Sequence, residues 1–328
     1  MAEVNYIVLG AGAWGTAMAI HLSRCGHRVI LVPRDAKKAE TIRECNENIF
    51  YMPKVVLPEG LIVDSHLEPY ANDAMIVFIA CPTQGLVDCF KKLEPFSGKI
   101  QQTVSLVKGL DRATLKTPSE LFHQMLPQVR FACLSGPTYA LDFAQGKHAA
   151  MVLASENDVT DLQKNVSNSL VRVYTSKDLK GVELGGCLKN IYAIGSGILE
   201  GLNLGDNARA AYLTRALNEM SILGTYLGGR KETFFGLSGL GDLIATAQGV
   251  WSRNRTFGHA IASGQTIVDL LKEKTVEGYW SIQCFYKLCS HILDQAPILT
   301  ALYKILYQSA PLKDTINELM LRNLKQEF

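Results

Sequence analysis

Short runs of consecutive apolar residues alternate with amphipathic segments through the first half of the chain, then cease. The runs fall at Asn5–Gly10, Arg28–Pro33, Ala74–Ala80, Ile100–Val107, Arg130–Ser135, His148–Ala154 and Val171–Thr175. Most are continuous rather than alternating, as strands covered on both faces are. Between the first two, Gly15–Cys25 is amphipathic and stops at Gly26-His27, which predicts a helix. Strand, helix, strand in this order predicts a parallel, doubly wound α/β sheet.

Past about Asp178 the strand pattern vanishes. Gly205 to Gly229 reads as one long helix, with Asp206 or Asn207 as its cap. Its apolar side is Ala211, Leu213, Leu217, Met220 and Leu223, and Gly228-Gly229 ends it. Trp280–Leu293, Ile298–Gln308 and Leu312–Lys325 predict further helices, punctuated by Pro297 and Pro311. A chain of 328 residues exceeds the roughly 250–300 at which one core stops growing, so two domains are expected. The expected division is an α/β domain over residues 1–178 and an all-α domain over residues 179–328.

Composition narrows the class. Hydrophobic residues make up 48% and charged residues 20%, enough apolar material for a sizeable core. A formal charge of +2 without a dense basic stripe argues against a nucleic-acid partner. Only Met1-Ala2-Glu3 precedes the first strand, so no leader is expected. No uncharged apolar run reaches the roughly 18 residues of a membrane span; the stretch from Gly185 to Leu204 is broken by Lys189 and Glu200. Eight cysteines lie without a C-x-x-C pair, so neither a bound metal nor a disulfide scaffold is expected. They read as reduced, mostly buried thiols of a cytoplasmic protein.

One motif carries chemistry in the first half. Gly10-Ala-Gly12-Ala-Trp-Gly15 is a G-x-G-x-x-G that closes a strand, opens a helix and precedes a second strand. That context makes it a dinucleotide-binding turn of the Rossmann type. Gly10 permits the tight turn, Gly12 admits the pyrophosphate, and Gly15 lets the helix pack, its free N–H groups facing the phosphates. Beyond the second strand stands Val32-Pro33-Arg34-Asp35, with no acid at the strand tip. Arg34 suits a 2′-phosphate or is an ordinary surface residue; Asp35 pulls the other way, so the cofactor stays NAD or NADP.

Three elements of the helical half are chemically pointed. Lys189 interrupts an apolar helix, where an unpaired charge is costly. It either faces a cavity or carboxylate, or snorkels to the surface. Burial would bring its pKa toward neutrality and an adjacent carboxylate would oppose that. Within Gly236–Thr246, Asp242 and Thr246 stand four apart and share a helix face; Asp242 orients a lysine, binds substrate hydroxyls or merely caps the turn. Ser252-Arg253-Asn254-Arg255 precedes a helix running to about Ser263, with Ser252 as cap. An Arg and an Asn at that start suit a phosphate dianion, or form a solvated helix start. Of the two arginines only one is expected to reach a ligand.

Together these elements make the chain resemble the NAD(P)-dependent glycerol-3-phosphate dehydrogenase family, bacterial type, over nearly its whole length. The likeness runs through Gly10–Ala17, Ser105–Leu110, Leu134–Ala140, Gly181–Asn190, Gly205–Ala211, Gly239–Leu243, Ser252–Asn254 and Val276–Gly278. It implies reduction of dihydroxyacetone phosphate to sn-glycerol 3-phosphate, the backbone of phospholipids. By the same likeness Lys189 is the general acid/base, with Asp242 and Lys108 beside it. Gly136, Thr138, Asn190, Thr246, Ser252, Arg253 and Asn254 join these three in binding substrate. Ala13, Trp14, Arg34, Lys108, Ala140, Arg253, Val276 and Glu277 line the cofactor site with Gly10, Gly12 and Gly15. Departures from the usual pattern are Cys81-Pro82-Thr83, Cys187, Pro33 and Asp142.

Two other readings stand beside this one. A β-hydroxyacid or 6-phosphogluconate-type dehydrogenase also pairs a Rossmann domain with a lysine-bearing helical domain. A cofactor-binding sensor without catalysis is the alternative from another class. A homodimer is the default assembly.

Overall fold

The computed structural model describes residues 4–273, 275–324 and 326–327. The described residues form eight strands: β1 Val4–Leu9, β2 Arg28–Val32, β3 Ile62–Val63, β4 Ala74–Ile79, β5 Ile100–Ser105, β6 Phe131–Ser135, β7 Ala149–Ala154 and β8 Val171–Ser176. All seven expected strands are present within a residue or two. β3 was not expected; two residues make no pattern. The first six helices are α1 Ala13–Arg24, α2 Ala36–Cys45, α3 Leu86–Leu93, α4 Pro118–Met125, α5 Ala140–Ala144 and α6 Thr160–Val166.

The sheet order is β3-β2-β1-β4-β5-β6-β7-β8, so the order reverses between β1 and β4, where open α/β sheets bind their ligands. Leu9 pairs with Val32 on one side and with Ile79 on the other, so β1, β2 and β4 end level. The chain segments at residues 10, 33 and 80 therefore emerge side by side. Core residues of β1, β2 and β4, among them Ile7, Val8, Ile30, Leu31, Val77 and Phe78, are fully buried, as strands covered on both faces must be.

The expected parallel, doubly wound sheet is present, with one pairing that departs from it: β6 and β7 pair antiparallel, and β7 and β8 are parallel to each other. The helix between β6 and β7, α5, has five residues and spans only about 7.5 Å. A parallel crossover must climb back along a whole strand, which α5 is too short to do, so the chain enters β7 from the end at which it left β6.

Helices make up the rest: α7 Leu179–Gly201, α8 Gly205–Tyr226, α9 Asp242–Gln248, α10 Arg253–Ala262, α11 Ile267–Glu273, α12 Glu277–Leu288, α13 Pro297–Tyr307 and α14 Leu312–Met320. Neither Asp206 nor Asn207 caps α8. The helix starts at Gly205 with Leu204 as N-cap, so Asp206 lies inside the first turn, beside the positive helix end. Gly228, at φ +98°, ends it. The expected helix 312–325 stops at Met320; Lys325 lies outside the described residues. Trp280–Leu293 divides into α12 and a 3-10 turn over Ser290–Gln295. By compactness the chain forms two units, Met1–Glu183 and Leu184–Phe328. Among the described residues no helix is long and apolar enough to cross a membrane.

Candidate active site

In the first unit the glycine turn sits at the level end of β1. Gly10 adopts φ +107°, and a Cβ on it would come 2.7 Å from the Ala80 carbonyl oxygen. A Cβ on Gly15 would overlap the Gly10 carbonyl oxygen, so α1 packs directly on the turn. A Cβ on Gly12 would meet no protein atom within 4 Å. That open face, next to an α1 N-terminus without a side-chain cap, fits a pyrophosphate held by backbone N–H groups. Ala13 opens α1, and the Trp14 ring lies 5.0 Å from that of Phe143.

Asn48 holds this turn from outside. Its Nδ2 donates to the Ala11 carbonyl at 2.9 Å and to Thr16 Oγ1 at 2.7 Å, and the residue is fully buried. Sequence reasoning missed it, because a single Asn in a polar stretch 37 residues from Ala11 carries no local signal. Beyond β2, Arg34 is exposed. Asp35 accepts from the backbone N–H groups of Lys37 and Lys38 as the N-cap of α2, so its carboxylate is committed to the helix rather than aimed at a ribose.

At the ends of β5 and β6, Lys108 donates to the Gly136 carbonyl at 3.1 Å and Thr138 Oγ1 donates to the same oxygen at 3.3 Å. The structure thus brings Lys108, Gly136 and Thr138 together, with Ala140 following at the start of α5. Glu183, also missed, is buried and accepts from Ser119 N at 2.9 Å and Ser119 Oγ at 2.5 Å. Burial pushes its carboxyl up to about 7 against those hydrogen bonds.

In the second unit, Lys189 on α7 is 7% exposed. It donates to Thr246 Oγ1 at 2.6 Å and lies 3.1 Å from Asp242 Oδ1. Thr246 Oγ1 in turn donates to Asp242 Oδ1 at 3.3 Å. The snorkelling alternative is excluded; a buried ammonium needs its countercharge, and Asp242 supplies it. Asp242 is the first residue of α9 rather than its cap, which is Gly241.

The adjoining residues form a second knot. Asn254 Nδ2 donates to Asn190 Oδ1 at 2.8 Å, and Asn254 Oδ1 accepts from Gly278 N at 2.9 Å. This ties α7, α10 and the start of α12, where buried Val276 is the N-cap and Glu277 the first residue. Ser252 caps α10 by accepting from Arg255 N at 3.2 Å. Of the two arginines, Arg255 pairs with Glu200 at 3.2 Å, whereas Arg253 is exposed at the helix start.

The cysteines differ from expectation. All eight are free, but only Cys133, Cys187, Cys284 and Cys289 are buried; Cys25, Cys81 and Cys89 are half-buried and Cys45 is exposed. Cys25 and Cys45 stand at the ends of α1 and α2 and Cys81 in the loop after β4, where cover is thinner.

Two family models cover the chain: the NAD-dependent glycerol-3-phosphate dehydrogenase N-terminus over residues 5–161 and its C-terminus over residues 178–317. The chain belongs to the NAD-dependent glycerol-3-phosphate dehydrogenase family. It is 40% identical to glycerol-3-phosphate dehydrogenase (NAD(P)+) of Carboxydothermus hydrogenoformans, over 100% of this chain and 99% of that one. The enzyme of that description from Fusobacterium nucleatum is 36% identical over 99% of both chains. The crystal structure of glycerol-3-phosphate dehydrogenase from Coxiella burnetii superposes with a TM-score of 0.90 at 32% identity, covering 98% of this chain and 99% of that one. This family member is an NAD(P)-dependent oxidoreductase.

Proposed function

We propose that this chain interconverts dihydroxyacetone phosphate and sn-glycerol 3-phosphate with NAD(P)H, supplying glycerol 3-phosphate for phospholipid synthesis, with Lys189 as general acid/base. The observation that carries the reading is the buried Lys189 ammonium held by Asp242 at 3.1 Å and Thr246 at 2.6 Å. A nicotinamide cofactor supplies the hydride when bound. Residues 1–178 take the dinucleotide-binding role, through Gly10, Gly12, Ala13, Trp14, Gly15, Arg34 and Ala140. Residues 179–328 take the substrate and catalytic role, with Arg253, Val276 and Glu277 also serving the cofactor.

Reduction of a ketone places negative charge on its oxygen, and Lys189 meets that charge with a proton and a positive field. Asp242 and Thr246 fix the ammonium in direction, so little reorganisation is needed when the charge develops. Arg253 and the Ser252-capped N-terminus of α10 bind the phosphate of the substrate, with Asn254 beside them. Binding energy remote from the carbonyl then orients the reacting carbon. Lys108, Gly136, Thr138 and Asn190 complete the substrate contacts. The assembly is a homodimer and the compartment cytoplasmic.

Initial rates with dihydroxyacetone phosphate and each reduced cofactor test the reaction. Oxidation of NAD(P)H with hydroxyacid-type substrates but none with dihydroxyacetone phosphate would overturn it. Lys189→Ala is expected to lower kcat by about 10²–10⁴, the usual worth of a general acid, with an unchanged far-UV circular dichroism spectrum. Turnover within a few-fold of wild type would remove Lys189 from the role.

A further inference from the structure

Cys81 lies beside the glycine turn, Cys89 follows it on α3, and neither has a part in the chemistry above. Cys81 lies two residues past the end of β4, and Cys89 lies in the first turn of α3, one helical turn beyond Gly85. The chain between them folds back through a 3-10 turn at Thr83–Gly85, closed by Gly85 N donating to the Pro82 carbonyl at 2.8 Å. A Cβ on Gly85 would stand 3.7 Å from Cys81 Sγ, so the turn wraps the thiol. The two thiols are within hydrogen-bonding reach of each other, and neither is fully buried.

Cys89 differs from Cys25, Cys133 and Cys289, which burial pushes up. The hydrogen bond from Cys81 draws the Cys89 thiol below its ordinary value; burial and Asp88 oppose it, and the cations of Lys92 and Arg34 assist. Burial pushes Cys133 well up and Cys289 up to about 12. The thiolate is the reactive form, so Cys89 attacks first and Cys81 stands ready to resolve.

We propose that Cys81 and Cys89 form a redox-active dithiol that a hydroperoxide oxidises to a disulfide, and that closing this bond weakens dinucleotide binding; the second half rests on the dinucleotide reading of the glycine turn. The Cys89 thiolate attacks the peroxide oxygen, the O–O bond breaks, and the released alkoxide or hydroxide takes up a proton, leaving a sulfenic acid. Cys81 sulfur then attacks the sulfenic sulfur; the S–S bond forms, the S–O bond breaks, and the departing hydroxide leaves as water with the Cys81 proton. Two thiols lose two electrons and the peroxide is reduced by two.

The coupling to the cofactor turn is a backbone contact. Ala80 N donates to the Leu9 carbonyl at 2.8 Å, and a Cβ on Gly10 would come 3.2 Å from Cys81 N. An S–S bond of about 2.05 Å is shorter than any hydrogen-bonded sulfur pair, so closure pulls Cys81 toward α3. The Gly10 turn, packed on that segment, moves with it.

Trypsin cleavage after Lys54 and Lys91 gives one peptide, residues 55–91, whose only cysteines are 81 and 89. Purified full-length protein is treated with hydrogen peroxide, alkylated with iodoacetamide and digested, and NADH and NADPH affinity is measured by fluorescence titration. The expected result is a peptide 2 Da lighter and without alkylation, with the dissociation constant raised at least about fivefold, the low end of ordinary site-to-site coupling. Dithiothreitol restores both, and Cys81→Ser and Cys89→Ser each abolish both. A peptide that stays fully alkylated, or a disulfide that leaves affinity unchanged, overturns the proposal. Failure of the reduced protein to bind either nucleotide would instead overturn the dinucleotide reading.

Discussion

Thr246 gives the Lys189 ammonium a hydroxyl acceptor at 2.6 Å. Thr246→Val keeps the shape and removes that acceptor, leaving a buried ammonium with less compensation. It is expected to lower kcat about tenfold or more, at roughly 1.4 kcal/mol per decade, with a smaller change in KM for dihydroxyacetone phosphate; steady-state kinetics checks the split. At the cofactor end, Asp35 is held by α2 and Arg34 is exposed. Arg34→Glu should therefore raise KM for NADPH relative to that for NADH, read from paired initial-rate series. Lys189 stood out in the sequence as a charge inside an apolar helix, but a partner and a snorkelled head group were both open until its burial was seen. Its partner Asp242 was legible only as one use among three, since choosing required the distance across two helices. Asn48 was not legible at all: its role is a contact made 37 residues away, and its own neighbourhood reads as an exposed polar turn.

Helices of the second unit owe their closest approach to missing side chains. A Cβ on Gly258 of α10 would overlap the Ile194 carbonyl oxygen of α7, and one on Gly197 would overlap the Arg255 carbonyl oxygen. Gly258→Ala is expected to cost about 1–3 kcal/mol by overpacking, with a fall in Tm of roughly 2–4 °C per kcal/mol, followed by circular dichroism. Seven of eight strands were legible because apolar runs bounded by turn residues are a local signal. The reversal at β7 was not, because direction depends on how far α5 reaches. In α8 the expected apolar side included Ala211, which is exposed, and omitted Glu219, which is 2% exposed. Hydrophobicity alone cannot place a carboxylate that spends itself on hydrogen bonds.

Stability of the whole molecule carries the imprint of such carboxylates. Glu219 accepts from the backbone N–H groups of Ile298 and Leu299 at 2.8 and 2.7 Å and from the Tyr192 hydroxyl at 3.1 Å. Burial nonetheless pushes it up to about 7, as it does Glu183. Between the ordinary 4.5 and 7 the folded state holds protons that the unfolded chain has released, so stability falls as pH rises through that window. Each carboxyl contributes on the order of 3 kcal/mol to the fall. Glu219→Gln removes one of these titrations. Its deficit in urea midpoint relative to wild type should be largest near pH 5 and narrower at pH 8; a deficit that widens with pH would contradict the raised value.

The glycine contact between α7 and α10 has a consequence for heredity. It is backbone against backbone, so there is no neighbouring side chain whose shortening could make room for a methyl group at position 258. A search for second-site revertants of Gly258→Ala should therefore return the original glycine, or general stabilisers elsewhere, and no paired substitution at Ile194.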